Sequence, residues 1–110
     1  MASYFIGKWH NYIFIDRGTG PDNRDILVFN IKTKRLVYQD TYYDPLSIVN
    51  YKLQYWQTAN ILATRTNCDQ FAKSQQSGLN PQIQNLGQVD LKINDLTFIK
   101  TGQTRCQLTQ

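Results

Sequence analysis

Val89-Asp90-Leu91-Lys92-Ile93 decides the fold class. Apolar and polar residues alternate strictly, which is the period of a strand with one face on a core and the other in water. Asn94-Asp95 follows as a tight two-residue turn. Leu96 to Lys100 reads as the returning arm, and Gly102 sets off a last short segment that carries Cys106.

The same pattern recurs toward the N-terminus. Val49, Tyr51, Leu53 and Tyr55 form one strand face, Thr58-Ala59-Asn60 a turn, and Ile61 to Thr66 a returning strand. Leu27, Phe29 and Ile31 alternate, Thr33-Lys34 turns the chain, and Leu36 to Thr41 completes a hairpin. Asp44-Pro45 breaks that arm, because the residue before proline and proline itself both resist continuation. Residues 4–15 read as one long strand with apolar side chains on both faces, bent near Gly7. Asp16 to Arg24, with Gly18, Gly20, Pro21, Asp22 and Asn23, is loop chemistry. Cys68 to Ser77 is the one helical candidate, with Asn67 or Asp69 as its cap. Gly78 to Gly87, with Pro81 and repeated Gln, reads as a polar loop. The expectation is a single, mainly β domain over residues 1–110. It takes the form of a small antiparallel up-and-down β-barrel or sandwich of about seven strands with at most one short helix.

Composition narrows the function. All eight acids of the 110 residues are Asp, and Glu is absent. Mechanisms that need a glutamate, such as glutamate-based metallopeptidase and glycosidase motifs, are excluded. A hydrophobic share of 41% supports a real core, and 13% aromatics argues against a disordered chain. No apolar run is long enough for a membrane-spanning helix. The net charge of +4 is spread along the chain, and only Lys32-Thr33-Lys34-Arg35 clusters, as befits a hairpin tip.

Cys68 and Cys106 are the only cysteines. An even count in a small β-rich chain reads as one disulfide and an oxidising compartment. Two buried free thiols in a cytosolic protein are the alternative. The opening Met-Ala-Ser runs straight into apolar residues without the pattern of a signal peptide. The expected location is periplasmic or secreted with a signal removed, with the cytoplasm as alternative.

Signals for chemistry are sparse. His10 is the sole histidine, no Cys-x-x-Cys or His-x-x-x-His spacing exists, and the expectation is no metal and no cofactor. A Ser or Cys served by His10 lacks any nucleophile-elbow glycines. Asp40 with Asp44 and Asp90 with Asp95 are pairs at strand ends, where Asp shapes turns. Gly18-Thr19-Gly20-Pro21 lacks the lysine and helix of a phosphate loop. The chain therefore reads as a non-enzyme.

Aromatic residues are the informative feature. Tyr38, Tyr42, Tyr43, Tyr51, Tyr55 and Trp56 crowd the middle of the chain among Asn50, Gln54 and Gln57. Neighbours in a strand point to opposite faces, so one member of Tyr42-Tyr43 and one of Tyr55-Trp56 is expected outside the main core. Tyrosine and tryptophan mixed with amides suit a recognition surface. They also suit ordinary strands.

Gly7-Lys8-Trp9, followed by Asn11, resembles the Gly-x-Trp opening strand of lipocalins and avidins. That resemblance implies an up-and-down barrel open at one end, with the tryptophan across its floor and a small apolar ligand inside.

The preferred expectation is a small exported protein-binding module of inhibitor or immunity type that blocks a partner protein, an enzyme or toxin. Its anchors would be Tyr42, Tyr43, Tyr51, Tyr55 and Trp56, with Lys34, Arg35, Arg24 and the loop Asp16 to Arg24 adding polar contacts. The runner-up is a lipocalin-like carrier of a small apolar ligand, in a cavity lined by Phe5, Trp9, Phe29 and Tyr51. A third reading is single-stranded nucleic-acid binding by Tyr51, Lys52, Tyr55 and Trp56.

Overall fold

His10 adopts φ 52°, and this one left-handed residue divides what alternation reads as a single strand. The chain reverses at His10-Asn11, so Trp9 faces Tyr12 across a hairpin. In the computed structural model, which describes residues 3–18, 23–93 and 95–110, the strands are β1 (Ser3–Trp9), β2 (Tyr12–Gly18), β3 (Arg24–Asn30), β4 (Arg35–Val49), β5 (Lys52–Thr58), β6 (Asn80–Asp90) and β7 (Phe98–Thr109). One helix, α1 (Phe71–Ser77), lies between β5 and β6. The chain is thus mainly β, with seven antiparallel strands. Each pairs with its neighbours in sequence, in the order β1-β2-β3-β4-β5-β6-β7. Among the described residues no pairing joins β7 to β1, so the sheet curls into a half-barrel and stays open.

β4 explains the curl. Its first part pairs with β3, from Arg24↔Tyr42 to Asn30↔Arg35. Its second part pairs with β5, from Tyr43↔Trp56 to Val49↔Lys52. The register shifts between Tyr43 and Ser47, across the cis Asp44-Pro45 bond. One strand therefore belongs to two sheets at the point where it changes partners. The expected break at Pro45 is a bend within the strand, because proline is tolerated at an irregularity where no ladder bond is needed.

Other boundaries move for similar reasons. Asn50 and Tyr51 both have positive φ, at 50° and 64°, and form the two-residue turn between β4 and β5. The expected strand through Val49, Tyr51 and Tyr55 is therefore two strands. The return expected at Ile61 to Thr66 is a loop, stitched by Asn67, whose side chain accepts from the Thr64 N–H and donates to the Leu62 carbonyl. The glutamine-rich stretch expected to be a loop is β6, paired with β5 on one side and β7 on the other. Gly102 does not interrupt β7. It sits at φ 92° inside a bulge, where partners jump from Asn85↔Thr104 to Gly87↔Lys100. The expected turn at Asn94-Asp95 lies partly outside the described residues, as do Gly20, Pro21 and Asp22 of the β2–β3 loop.

The main core lies on the inner, concave face. Phe14, Ile26, Val28 and Tyr42 come from β2, β3 and β4 and meet Leu53, Tyr55, Val89 and Leu91. Gly87 is required here by close approach: a Cβ would stand 2.0 Å from the Phe98 ring, which packs against Tyr55 at 5.0 Å between centroids. A smaller cluster of Ala59, Cys68 and Ile83 seats the loop before α1. The Cys68–Cys106 disulfide joins that loop to β7.

Candidate functional site

β2 carries Tyr12, Phe14 and Asp16 on one parity, and that parity faces the core. Asp16 is only 5% exposed, so its charge needs a partner. β3 supplies one: Arg24 donates from Nε to Asp16 Oδ2 at 2.7 Å, and Nη2 stands 2.5 Å from the same oxygen. The carboxylate holds the guanidinium firmly in its charged form, well above the ordinary arginine range. Tyr42 is the cross-strand neighbour of Arg24. Burial first, then the charges of Asp16 and Asp44 and polar contact with Asp16, push its phenol up to about 12. The bend of β4 carries Asp44, Leu46, Ser47 and Ile48 past this group, and Gly7 of β1 closes the far side. The result is a cleft of about 440 Å³ with Phe14, Leu46 and Ile48 as apolar wall and Asp16, Arg24, Tyr42 and Asp44 as polar wall. That volume falls within the range of small-molecule sites.

The residues expected to form one binding surface are dispersed. Tyr42 and Tyr55 belong to the main core, at 3% and 0% exposure, and Trp56 is 7% exposed. Their adjacent partners behave as strand alternation requires, since Tyr43 and Trp56 lie outside that core. Trp56 is nevertheless covered, because the Arg105 guanidinium sits 4.2 Å above its ring. Arg105 also donates to Gln84 Oε1 at 2.8 Å and to the Asp44 carbonyl at 2.7 Å. Tyr42, Tyr55 and Trp56 thus hold the fold together, and the expectation that they stand exposed as contact anchors is corrected. The same burial removes Tyr55 and Trp56 as a base-stacking platform.

Tyr43 is half-buried beside Arg105 in a smaller polar groove. Tyr51 is exposed at the turn between β4 and β5, against Trp9 and under the Lys92 ammonium at 3.9 Å. Lys34 and Arg35 stand exposed at the β3–β4 hairpin tip. Of the expected contact residues, only Arg24 and Tyr42 meet in the cleft. The cavity lining expected from Phe5, Trp9, Phe29 and Tyr51 is also corrected, since none of the four lines the cleft. Phe5 is exposed and Phe29 lies on the outer face.

That outer face carries two cross-strand rows, Phe5↔Ile15↔Leu27 and Ile13↔Phe29↔Leu36. A rim of Arg17, Asp25 and Thr41 follows, in which Arg17 and Thr41 both donate to Asp25.

On the inner face, Asp40 forms a second polar group. It accepts from Tyr55 at 2.5 Å, from Tyr38 at 3.3 Å and from Gln57 Nε2, while the two phenols lie 2.6 Å apart. Every donor there is matched, which marks a structural network. Cys68, Asp69 and Cys106 lie within ligating reach of one another, but both sulfurs are bonded in the disulfide.

Sequence reading missed Phe14, Leu46 and Ile48, and it placed Asp16 in a contact loop, whereas Asp16 stands on β2. The signal for Asp16 was present: a charge on the parity of Tyr12 and Phe14 must be buried beside a counter-charge. No family model, curated protein or solved structure matches this chain.

Proposed function

We propose that this chain is a non-catalytic binding protein whose half-barrel cleft holds a small, partly apolar molecule. The observation that supports it is the union, in one cleft of about 440 Å³, of an apolar wall with a buried, oriented Asp16–Arg24 pair. Such convergence of a few fixed polar groups on an apolar concavity is what ligand sites require. Binding without chemistry is favoured by the layout. Ser47 lines the cleft, whereas His10, the sole histidine, is at the turn beyond the opposite end of β2, against Trp9.

The test is a screen of small amphipathic molecules by amide NMR. Expected are shifts confined to Gly7, Leu46, Ser47 and Ile48, abolished when Leu46→Trp fills the space. Native mass spectrometry of freshly purified protein would show a co-purified ligand. Hits that leave those amides unmoved would remove the reading.

Docking against another protein, of the inhibitor or immunity kind, is a second reading. It is favoured by the apolar rows of the outer face, with Lys34 and Arg35 beside them at the hairpin tip. Large apolar area on a surface marks interaction sites. Phe29→Asp with Leu36→Asp in a folded chain should abolish a purified partner's binding, and retained binding would sink it. An exported location fits the disulfide. Among the described residues no helix is long and apolar enough to cross a membrane.

A further inference from the structure

The cleft contains an acceptor without a donor. Asp16 Oδ2 takes both contacts from Arg24, while Oδ1 is buried and has no hydrogen-bond partner. Buried carboxylate oxygens are normally satisfied, and each exception calls for an explanation. Tyr42 is in polar contact with this carboxylate, yet no hydrogen bond of normal geometry reaches Oδ1.

The charge balance points the same way. Two carboxylates, Asp16 and Asp44, and one guanidinium, Arg24, surround the Tyr42 phenol. The Arg24 charge is already aligned on Asp16. Arg105 is the other nearby cation, but it is on the far side of Asp44, over the Trp56 ring. The cleft therefore keeps an unsatisfied negative oxygen just beneath its surface, beside an apolar wall. Gly7 lines the cleft with no side chain of its own, and a Cβ there would meet nothing within 4 Å.

We propose that the cleft binds a small organic cation, a protonated primary amine on an apolar body. The ammonium donates to Asp16 Oδ1, and the apolar part lies against Phe14, Leu46 and Ile48. An ammonium brings three donors and a positive charge, so it satisfies Oδ1 and offsets the second carboxylate. A neutral alcohol supplies the donor without the charge. A carboxylate would meet Asp16 and Asp44 with like charge. This inference rests on the reading of the cleft as a binding site and narrows it to one ligand class.

The test compares three matched probes on the whole chain by amide NMR titration: phenethylamine, 2-phenylethanol and 3-phenylpropionate. Expected is an amine that shifts Gly7, Leu46 and Ile48 and binds about tenfold tighter than the alcohol, the scale of one charge-assisted hydrogen bond. The carboxylate should be weakest. Asp16→Asn should erase the preference for the amine, and Leu46→Trp should abolish binding of all three. If Asp16→Asn does not fold, the ranking on the wild-type chain decides alone. An alcohol or carboxylate that binds as tightly as the amine overturns the ligand class and leaves the cleft reading standing. So does failure of all three beside a hit of other chemistry at the same amides. Silence of the cleft amides to every probe and every screened molecule overturns both.

Discussion

The sheet made by β1, β2, β3 and the first part of β4 is held differently from the sheet made by the rest of β4 and β5 to β7. In the first, two aspartates are matched by charge: the buried Asp16 with Arg24 and the part-exposed Asp25 with Arg17. In the second, the Cys68–Cys106 bond crosses from the helix loop to the edge strand, and Arg105 caps Trp56. The cleft lies between the inner side of the first sheet and the second part of β4, and the first sheet carries apolar rows on its outer side. The second sheet supplies the anchored half of the core against which that open half leans. Where ligand space is kept, side chains cannot fill it, so rigidity has to come from elsewhere in the molecule.

Removing the core anchor should have the largest effect. Tyr55→Ala empties the centre of the main cluster and takes a donor from Asp40. A loss of about 3–5 kcal/mol is expected by urea denaturation. A loss below about 1 kcal/mol would place Tyr55 outside the core and break the contrast. The same cluster should make the fold sensitive to alkali. Burial pushes the Tyr38 phenol up to about 12 and the Tyr55 phenol further still. A phenol in the unfolded chain ionises near pH 10, so the unfolded state releases its protons first. Stability from these groups is complete below about pH 10 and declines as pH rises through about 12. Urea midpoints that stay flat across that window would contradict the burial.

The disulfide comes next. With the two cysteines 38 positions apart, loss of the bridge in Cys68→Ser with Cys106→Ser should cost about 4 kcal/mol by the loop-entropy model. Hydrogen exchange should accelerate first around the loop before α1 and β7, and later around β2 and β3. Equal acceleration in both sheets would show that they are one cooperative unit. Gly87→Ala is smaller: its methyl collides with the Phe98 ring, and overpacking of this kind costs about 1–3 kcal/mol. A neutral outcome would mean that Phe98 can swing away without loss. Leu36→Ser is the smallest. Leu36 is 45% exposed on the outer face, so stability should stay within about 0.5 kcal/mol. A larger loss would show that the outer row carries weight in the fold as well as at the surface.

The fold was legible where one physical signal dominates. Leu27-Phe29 and Leu36-Thr41 alternate around Thr33-Lys34, and the hairpin is there, helped by Asn30, whose side chain accepts from the Lys32 and Thr33 N–H groups. Signals failed where the turn residue carries none. His10 and Tyr51 take left-handed conformations that their side chains do not advertise, so two strands were read as one in each case. Pro45 misled in the opposite sense, because a strand that changes partners can hold a proline at the change. The glutamines of β6 read as loop because polarity was taken for exposure. Gln84 is wholly buried, made tolerable by Arg105 and Gln82. The disulfide was legible from the count alone. The cleft was not, since its wall comes from Phe14 and Ile48, which only the bend of β4 brings together.

The strictly sequential order of the sheet also sets an order of assembly. Each strand pairs with the one before it in the chain, so the sheet can grow at one edge, one strand at a time. Contacts between sequence neighbours close quickly, because little loop entropy is lost before they form. Cys106 lies in the last strand of that order, so the covalent lock closes only after the rest of the sheet exists to hold Cys68 in place. On that order, oxidation would seal a fold whose strand sequence the neighbouring hairpins already set.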